Sequence, residues 1–178
     1  TRWSSHYDSV RNLIDMYGAS CIVVRNIREN GPTGSTRGEA RGIYKAITNF
    51  EFIFILHLMD SIMGITDMLC QALQRKSQDI LNALKLVSTT KSLLLKLRQD
   101  DWKIFLKKVE SFCKRHDIEI PDMSCRYKKG RSCQQQDHIT FEHYYHVEIF
   151  NSAIDFQLME LNSRFNEGAV ELLTLSLA

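Results

Sequence analysis

Between Phe50 and His116 the apolar positions recur with a helical period. Ile55, Leu58, Ile62, Ile65, Leu69 and Leu73 step by threes and fours, while Asp60, Gly64, Asp67, Gln71 and Gln74 fall on the opposite side. A one-sided stripe of this kind predicts an amphipathic helix. A second stripe sets Ile80, Leu84, Val87, Leu94 and Leu97 inward, with Asn82, Lys85, Thr89, Ser92, Lys96 and Gln99 outward. A third sets Trp102, Phe105, Val109, Phe112 and His116 against Lys103, Lys107, Ser111 and Lys114. Such helices in series must bury their stripes on one another or on a further element, so the pattern predicts an all-α, multi-helix bundle. The breaks have local causes. Arg75-Lys76 suit the negative end of a helix dipole, Ser77 caps the next helix with Asp79 in its first turn, and Gln99-Asp100-Asp101 precede Trp102.

The flanking segments extend the picture. Val10, Leu13, Ile14, Tyr17, Cys21 and Val24 predict a single helix from Thr1 to about Arg28, with Gly18 a soft spot in it. Asn30-Gly31-Pro32-Thr33-Gly34-Ser35 reads as an exposed loop. Helical pattern resumes near Thr36 through Ala40, Ile43, Tyr44 and Ile47. After His116, Ile118 to Asp122 reads as an extended exit and Met123 to Gln136 as a polar, basic loop. From His138 two periods compete. Ile139, Phe141, His143, Tyr145, Val147 and Ile149 alternate as in a strand, but Val147, Phe150, Ile154, Leu158, Leu161 and Phe165 step as in a helix. The second series is longer and predicts helix over about 138–166, followed by a short helix from Ala169 to Leu177. The resulting segments are 1–30, 31–36, 37–117, 118–137 and 138–178.

Composition narrows the class. Two prolines, Pro32 and Pro121, suit a mostly helical chain. A net charge of +2 makes the whole chain no electrostatic nucleic-acid binder, so local clusters matter more. The longest apolar run, Phe50 to Met59, is interrupted by Glu51 and His57, which reads as too short for a bilayer. The first residues carry neither an initiator Met nor the apolar core of a signal peptide, so a fragment of a longer protein is expected. The cysteines Cys21, Cys70, Cys113, Cys125 and Cys133 have no disulfide-scaffold rhythm, which favours a reducing compartment.

Candidate chemistry is sparse. Arg2-Trp3 pairs a cation with a ring that can stack on a base or flank a phosphate, as readily as it can tuck under a helix start. Arg126-Tyr127-Lys128-Lys129-Gly130-Arg131 has the composition of a phosphate contact with one stacking ring, though most basic loops are merely solvated. Arg25, Arg28, Arg37, Arg41 and Lys45 flank the glycine loop. Cys113, His116, Cys125, Cys133 and His138 lack the close pairs of the common zinc frameworks. Glu142-His143-Tyr144-Tyr145-His146 runs E-H-x-x-H rather than H-E-x-x-H, which favours aromatic packing. Asp60 and Asp67 read as ordinary solvated acids. No phosphate-binding glycine loop or nucleophile motif occurs.

Two motifs carry a family resemblance. Thr1-Arg2-Trp3-Ser4-Ser5-His6-Tyr7-Asp8 resembles the T-R-W motif of hAT-superfamily transposases, and Ile154-Asp155-Phe156-Gln157-Leu158-Met159-Glu160-Leu161-Asn162-Ser163-Arg164-Phe165 resembles their "ID…EL-RF" helix. Leu69-x3-Leu73-Gln74, then Asp79-Ile80 and Ala83, fit between them. The chain is most similar to the plant MYM-type zinc-finger-1-like group of transposase-derived proteins. The resemblance implies the helical insertion of an RNase H-like transposase domain in a DNA-binding nuclear protein. Trp3, with Arg2 beside it, would handle DNA at the transposon end. An intact active relative would use a divalent metal, Mg or Mn, held by three carboxylates for strand transfer. The resemblance places those acids, the zinc finger and the homo-oligomerising segment outside this chain. It therefore implies no catalytic residue, no metal and no cofactor here; the short apolar run gives the expectation of no membrane partner. A domesticated or unrelated helical protein–protein scaffold is the alternative.

Overall fold

The computed structural model describes residues 2–74, 80–127 and 139–166. The architecture is all-α: α1 (Arg2–Asp15), α2 (Tyr17–Asn30), α3 (Gly34–Ile47), α4 (Phe50–Leu73), α5 (Ile80–Gln99), α6 (Trp102–Arg115), α7 (Phe141–His143) and α8 (Ser152–Arg164), with a π-helical stretch, Tyr144–Asn151, joining the last two. No strand occurs among the described residues; the one β-type feature is an isolated antiparallel bridge, Arg126 to Thr140. The expected capping by Ser77 and Asp79 and the helix from Ala169 to Leu177 lie outside the described residues. The chain divides into two compact units. The first comprises Thr1–Asp67 with Phe105–Ile120, and the second Met68–Ile104 with Pro121–Ala178.

In the first unit, the expected single N-terminal helix is two, divided at Met16. The division is slight, because the Met16 N–H still donates to Asn12 O (2.9 Å) and Met16 O accepts from the Ser20 N–H (2.9 Å). Just past it Tyr17 is buried, its ring edge-on to Phe112 (5.1 Å) and His116 (4.8 Å), and its hydroxyl donates to Ile47 O (2.8 Å). That bond closes an antiparallel α2–α3 hairpin. The glycine loop is shorter than the sequence suggests, only Gly31 to Thr33, because Thr33 caps α3 by accepting from the Thr36 N–H (3.1 Å). Gly31 itself is buried rather than exposed. A Cβ there would lie 2.5 Å from Ile27 O and 3.2 Å from Arg37 Cγ, so the tight connection requires glycine.

α4 departs most from its expected stripe. Ile53, Phe54, Leu56, His57, Leu58, Asp60, Ile62 and Met63 are all buried, whereas Ile55 and Leu73 are 39% and 45% exposed. The reason is central placement. Phe54 packs edge-on against Phe105 of α6 (5.2 Å), His57 against Phe112 (4.7 Å), and Gly64 takes the Tyr7 hydroxyl of α1 closely, at 3.1 Å from where a Cβ would stand. The helix continues well past Met59. Over 24 residues, with a mean hydropathy of 1.6 in its most apolar window, it is long and apolar enough to cross a membrane, yet half of that window is buried inside the protein. α6 keeps its expected face: Phe105, Val109, Phe112 and Cys113 are buried.

α6 ends on a left-handed residue. Asp117 has φ 54°, and the following Ile118 N–H reaches back to Cys113 O (2.9 Å) while its side chain is buried. This is a Schellman-type stop at a position that favours glycine. Asp117→Gly is expected to raise stability by about 0.5–1 kcal/mol, the left-handed strain outweighing the looser unfolded chain. A urea midpoint that stays put or falls would show that the aspartate side chain stabilises this stop.

In the second unit, Val87, Leu94 and Leu97 of α5 are buried as the stripe predicts. α5 packs on α8, clamped by Arg98, whose Nε and Nη2 donate to Asp155 Oδ1 and Oδ2 (the latter 2.9 Å). The segment after Thr140 is helix, as the longer period indicates, but its first two turns are wide. The π-helical winding buries Tyr145, Phe150 and Ile154, at steps of five and four, and leaves Val147 38% exposed. An i to i+5 ladder turns a five-residue step into one face.

Candidate functional site

The candidate residues fall in both units. Arg2 and Trp3 lie in the first turn of α1. Arg126 and Tyr127 are described, whereas Lys128, Lys129 and Arg131 lie outside the described residues. The base of the basic loop is built rather than loose. The Asp122 carboxylate accepts from the Ser124 N–H (2.9 Å) and hydroxyl (2.7 Å), bonds that hold it below the usual carboxylate range. The Tyr127 N–H donates to Ile139 O (2.9 Å), the Phe141 N–H to Cys125 O (3.0 Å) and the Glu142 N–H to Met123 O (3.0 Å). These bonds bring the two ends of the loop together. Arg126 stands exposed at this base. The Tyr127 ring is stacked on Tyr144 (3.8 Å, 11°) and meets Phe141 edge-on (5.3 Å), so one of its faces is committed to packing.

The cations near the glycine loop form a second constellation, which sequence alone could not assemble. The Arg25 Nη2 donates to the Tyr44 hydroxyl (2.7 Å), and the Arg28 guanidinium lies 4.6 Å from the Tyr44 ring centroid. Arg41 and Lys45 are exposed and flank Tyr44 on α3, one turn back and one residue on. Arg37 turns away to cap α2, donating to Gly31 O (2.7 Å).

Asp60 is the residue that the sequence misplaced. It is not a solvated acid but is only 8% exposed, with Oδ2 accepting from Lys108 Nζ (3.0 Å) and Oδ1 3.7 Å from Arg11 Nη1, without a hydrogen bond. The Arg11 guanidinium donates instead to the Tyr7 hydroxyl (3.3 Å). Neighbouring His57 is buried, its Nδ1 2.9 Å from Ile53 O, and burial pushes its pKa down. A wide cleft of about 690 Å³ opens beside it, lined in part by Asp15, Lys108 and Arg115. Its lysine is already held by Asp60, and its lining mixes one acid with cations and apolar groups, so no ligand class stands out.

The other candidates resolve into packing. Cys113 is buried, which pushes its thiol up to about 11, and His116 lies against Tyr17 and Phe112. His146 stacks on Trp102 (4.3 Å, 14°), while His143 Nε2 lies 3.8 Å from Glu148 Oε1. Cys133 and His138 lie outside the described residues. Among the described residues no three His, Cys, Asp or Glu side chains are grouped to hold a metal ion. The described residues therefore do not fit the Mg or Mn site of an intact transposase, and no step of strand transfer is assigned to them. No protein-family model matches the chain, and no solved structure matches it.

Proposed function

We propose that this chain is a DNA-contacting helical portion of a hAT transposase-like nuclear protein, a part that contributes no catalytic acids of its own. The observation that carries the reading is the pairing of two motifs: the T-R-W start, in which Arg2 and Trp3 open α1, and the Ile154 to Phe165 motif, which forms most of α8. The burial of Ile154 and the pairing of Asp155 fit a structural part for the second motif. Ile154 is fully buried and Asp155 is taken up by Arg98. In this reading Arg2, Trp3 and the loop from Arg126 to Arg131 meet DNA, with the phosphate charge supplying most of the affinity.

The test is a titration of the chain with a labelled DNA duplex over a range of salt. Affinity is expected to fall steeply with salt, and Lys128→Ala/Lys129→Ala/Arg131→Ala to flatten the log–log slope by about 0.9 per charge removed. Trp3→Ala should weaken binding without altering that slope. A wild-type chain with no salt-dependent affinity for DNA would reject the reading.

A second reading, a protein–protein scaffold, is favoured by one feature. Met16 (60% exposed) at the start of α2 and Val23 (57%) and Ile27 (37%) within it repeat at helical steps of seven and four. An uncovered apolar stripe of this kind promotes association. Concentration-dependent sedimentation that Val23→Lys abolishes, without DNA affinity, would favour this reading.

A further inference from the structure

The hairpin of α2 and α3 brings cations of two helices around one aromatic ring. Over residues 17–48 the chain carries five cations, Arg25, Arg28, Arg37, Arg41 and Lys45, against two acids, Glu29 and Glu39. The acids are already engaged, Glu29 with Arg28 (2.7 Å) and Glu39 with the Ser35 hydroxyl (3.1 Å). Other cations are answered, Lys108 by Asp60, Arg98 by Asp155 and Arg164 by Glu160, while the exposed lysines of α5 and α6 other than Lys108 have no ion pair among the described residues. Arg25, Arg41 and Lys45 have no carboxylate within ion-pair distance among the described residues.

What holds two of the hairpin's cations together, Arg25 and Arg28, is Tyr44. Its hydroxyl accepts from Arg25 (2.7 Å), and its ring takes the Arg28 guanidinium at 4.6 Å and the Arg25 guanidinium at 5.5 Å. The ring quadrupole attracts cations without neutralising them. Tyr44 thus orders two guanidiniums, of which Arg25 has no ion pair among the described residues and Arg28 shares its charge with Glu29. Arg41 and Lys45, four residues apart on α3, lie about 6 Å apart along the helix axis. Pre-ordered guanidiniums match phosphate geometry and lose less entropy on binding than free side chains do.

We propose that the α2–α3 hairpin is a phosphodiester-backbone contact, formed by Arg25 and Arg28 at Tyr44 together with the exposed Arg41 and Lys45 of the same helix as Tyr44. This rests on the nucleic-acid reading above but uses none of the residues that carry it. Sequence selectivity is not part of this site, since backbone contacts fix position and not base identity.

The test compares variants of the chain on a fluorescein-labelled DNA duplex, with helix content and thermal unfolding as the check of fold. Arg41→Ala/Lys45→Ala, both at exposed positions, is expected to lower the slope of log affinity against log salt by about 2. Tyr44→Leu, which frees both guanidiniums, is expected to weaken binding several-fold with little change in slope. Lys85→Ala/Lys96→Ala removes the same charge from the exposed face of α5 and should leave the slope nearly unchanged. An unchanged slope in Arg41→Ala/Lys45→Ala, or an equal drop in Lys85→Ala/Lys96→Ala, overturns the hairpin site while the DNA reading stands. No DNA affinity in the wild type overturns both. Competition by polyglutamate as strong as by duplex would make the hairpin a general acidic-peptide site and overturn the backbone assignment.

Discussion

Replacing Lys108 by alanine is expected to cost the first unit about 3 kcal/mol, far more than an exposed lysine usually costs. Lys108 is itself half exposed, with 52% of its side-chain surface in water, but its partner Asp60 retains only 9%. Lys108 is the sole group that hydrogen-bonds that carboxylate among the described residues, and Asp60 Oδ1 already lacks a hydrogen bond. Breaking a buried pair from one side leaves an uncompensated charge, typically worth 3–5 kcal/mol. Arg11 Nη1, 3.7 Å away, softens the loss, which sets the expectation at the low end. The converse substitution should be milder. Asp60→Leu removes the buried charge, and both Lys108 and Arg11 are exposed enough to turn to water. Urea unfolding should therefore rank wild type and Asp60→Leu close together, with Lys108→Ala well below, and Asp60→Leu/Lys108→Ala should recover most of the loss. If Lys108→Ala unfolds within a few tenths of a kcal/mol of wild type, the pair is an ordinary surface bridge.

Asp60 also shows where sequence reading stops. Helical period identified α4, but the period assigns a face only when a helix has one wet side. α4 is covered on several sides, so Asp60, placed outward by its spacing from Ile62 and Leu58, is in fact buried beside His57. Nothing in its local sequence reveals this, because its partners lie 49 residues back at Arg11 and 48 on at Lys108. The same limit hid the basic hairpin. Arg25, Arg28 and Tyr44 are visible in the chain, but the meeting of the two arginines with Tyr44 depends on how tightly α2 turns into α3, which Gly31 and the Thr33 cap decide. Where one face is wet, as on α5 and α6, the stripe picked out Val87, Leu94, Leu97, Trp102, Phe105, Val109 and Phe112 as buried, while Leu84 and His116 are only half-buried and buried Thr90 lay on no stripe. From Tyr144 to Asn151 the π-helical winding accounts for the confusion of periods, since a step of five fits neither a strand nor an α-helix.

In the second unit the largest loss is expected at Trp102. Its indole is 7% exposed, stacked on the His146 ring and edge-on to Phe150 (5.2 Å), so it ties α6 to the π-helical stretch. Truncation to alanine deletes a large buried ring and leaves a cavity, worth about 3–5 kcal/mol; Trp102→Phe should cost less than half of that. The same change has a titration signature. Burial holds the His146 pKa below its ordinary value; Glu142 opposes this, and the Arg98 and His143 charges add to it. His57 is lowered likewise by burial and by Lys108, against the pull of its bond to Ile53 O and of Asp60. A histidine whose folded pKa is depressed binds fewer protons in the folded state than in the unfolded one. Its neutral form therefore contributes stability in full above about pH 6.5, and that contribution is lost as pH falls below it. The wild type should lose stability on acidification through this range. Trp102→Phe, by thinning the cover over His146, should move the His146 ring-proton titration up towards 6.5 and leave that of His57 in place. A His146 titration indifferent to the residue at 102 would mean that the stack does not bury the imidazole, and the expected cost of removing the indole would then fall to that of its contact with Phe150.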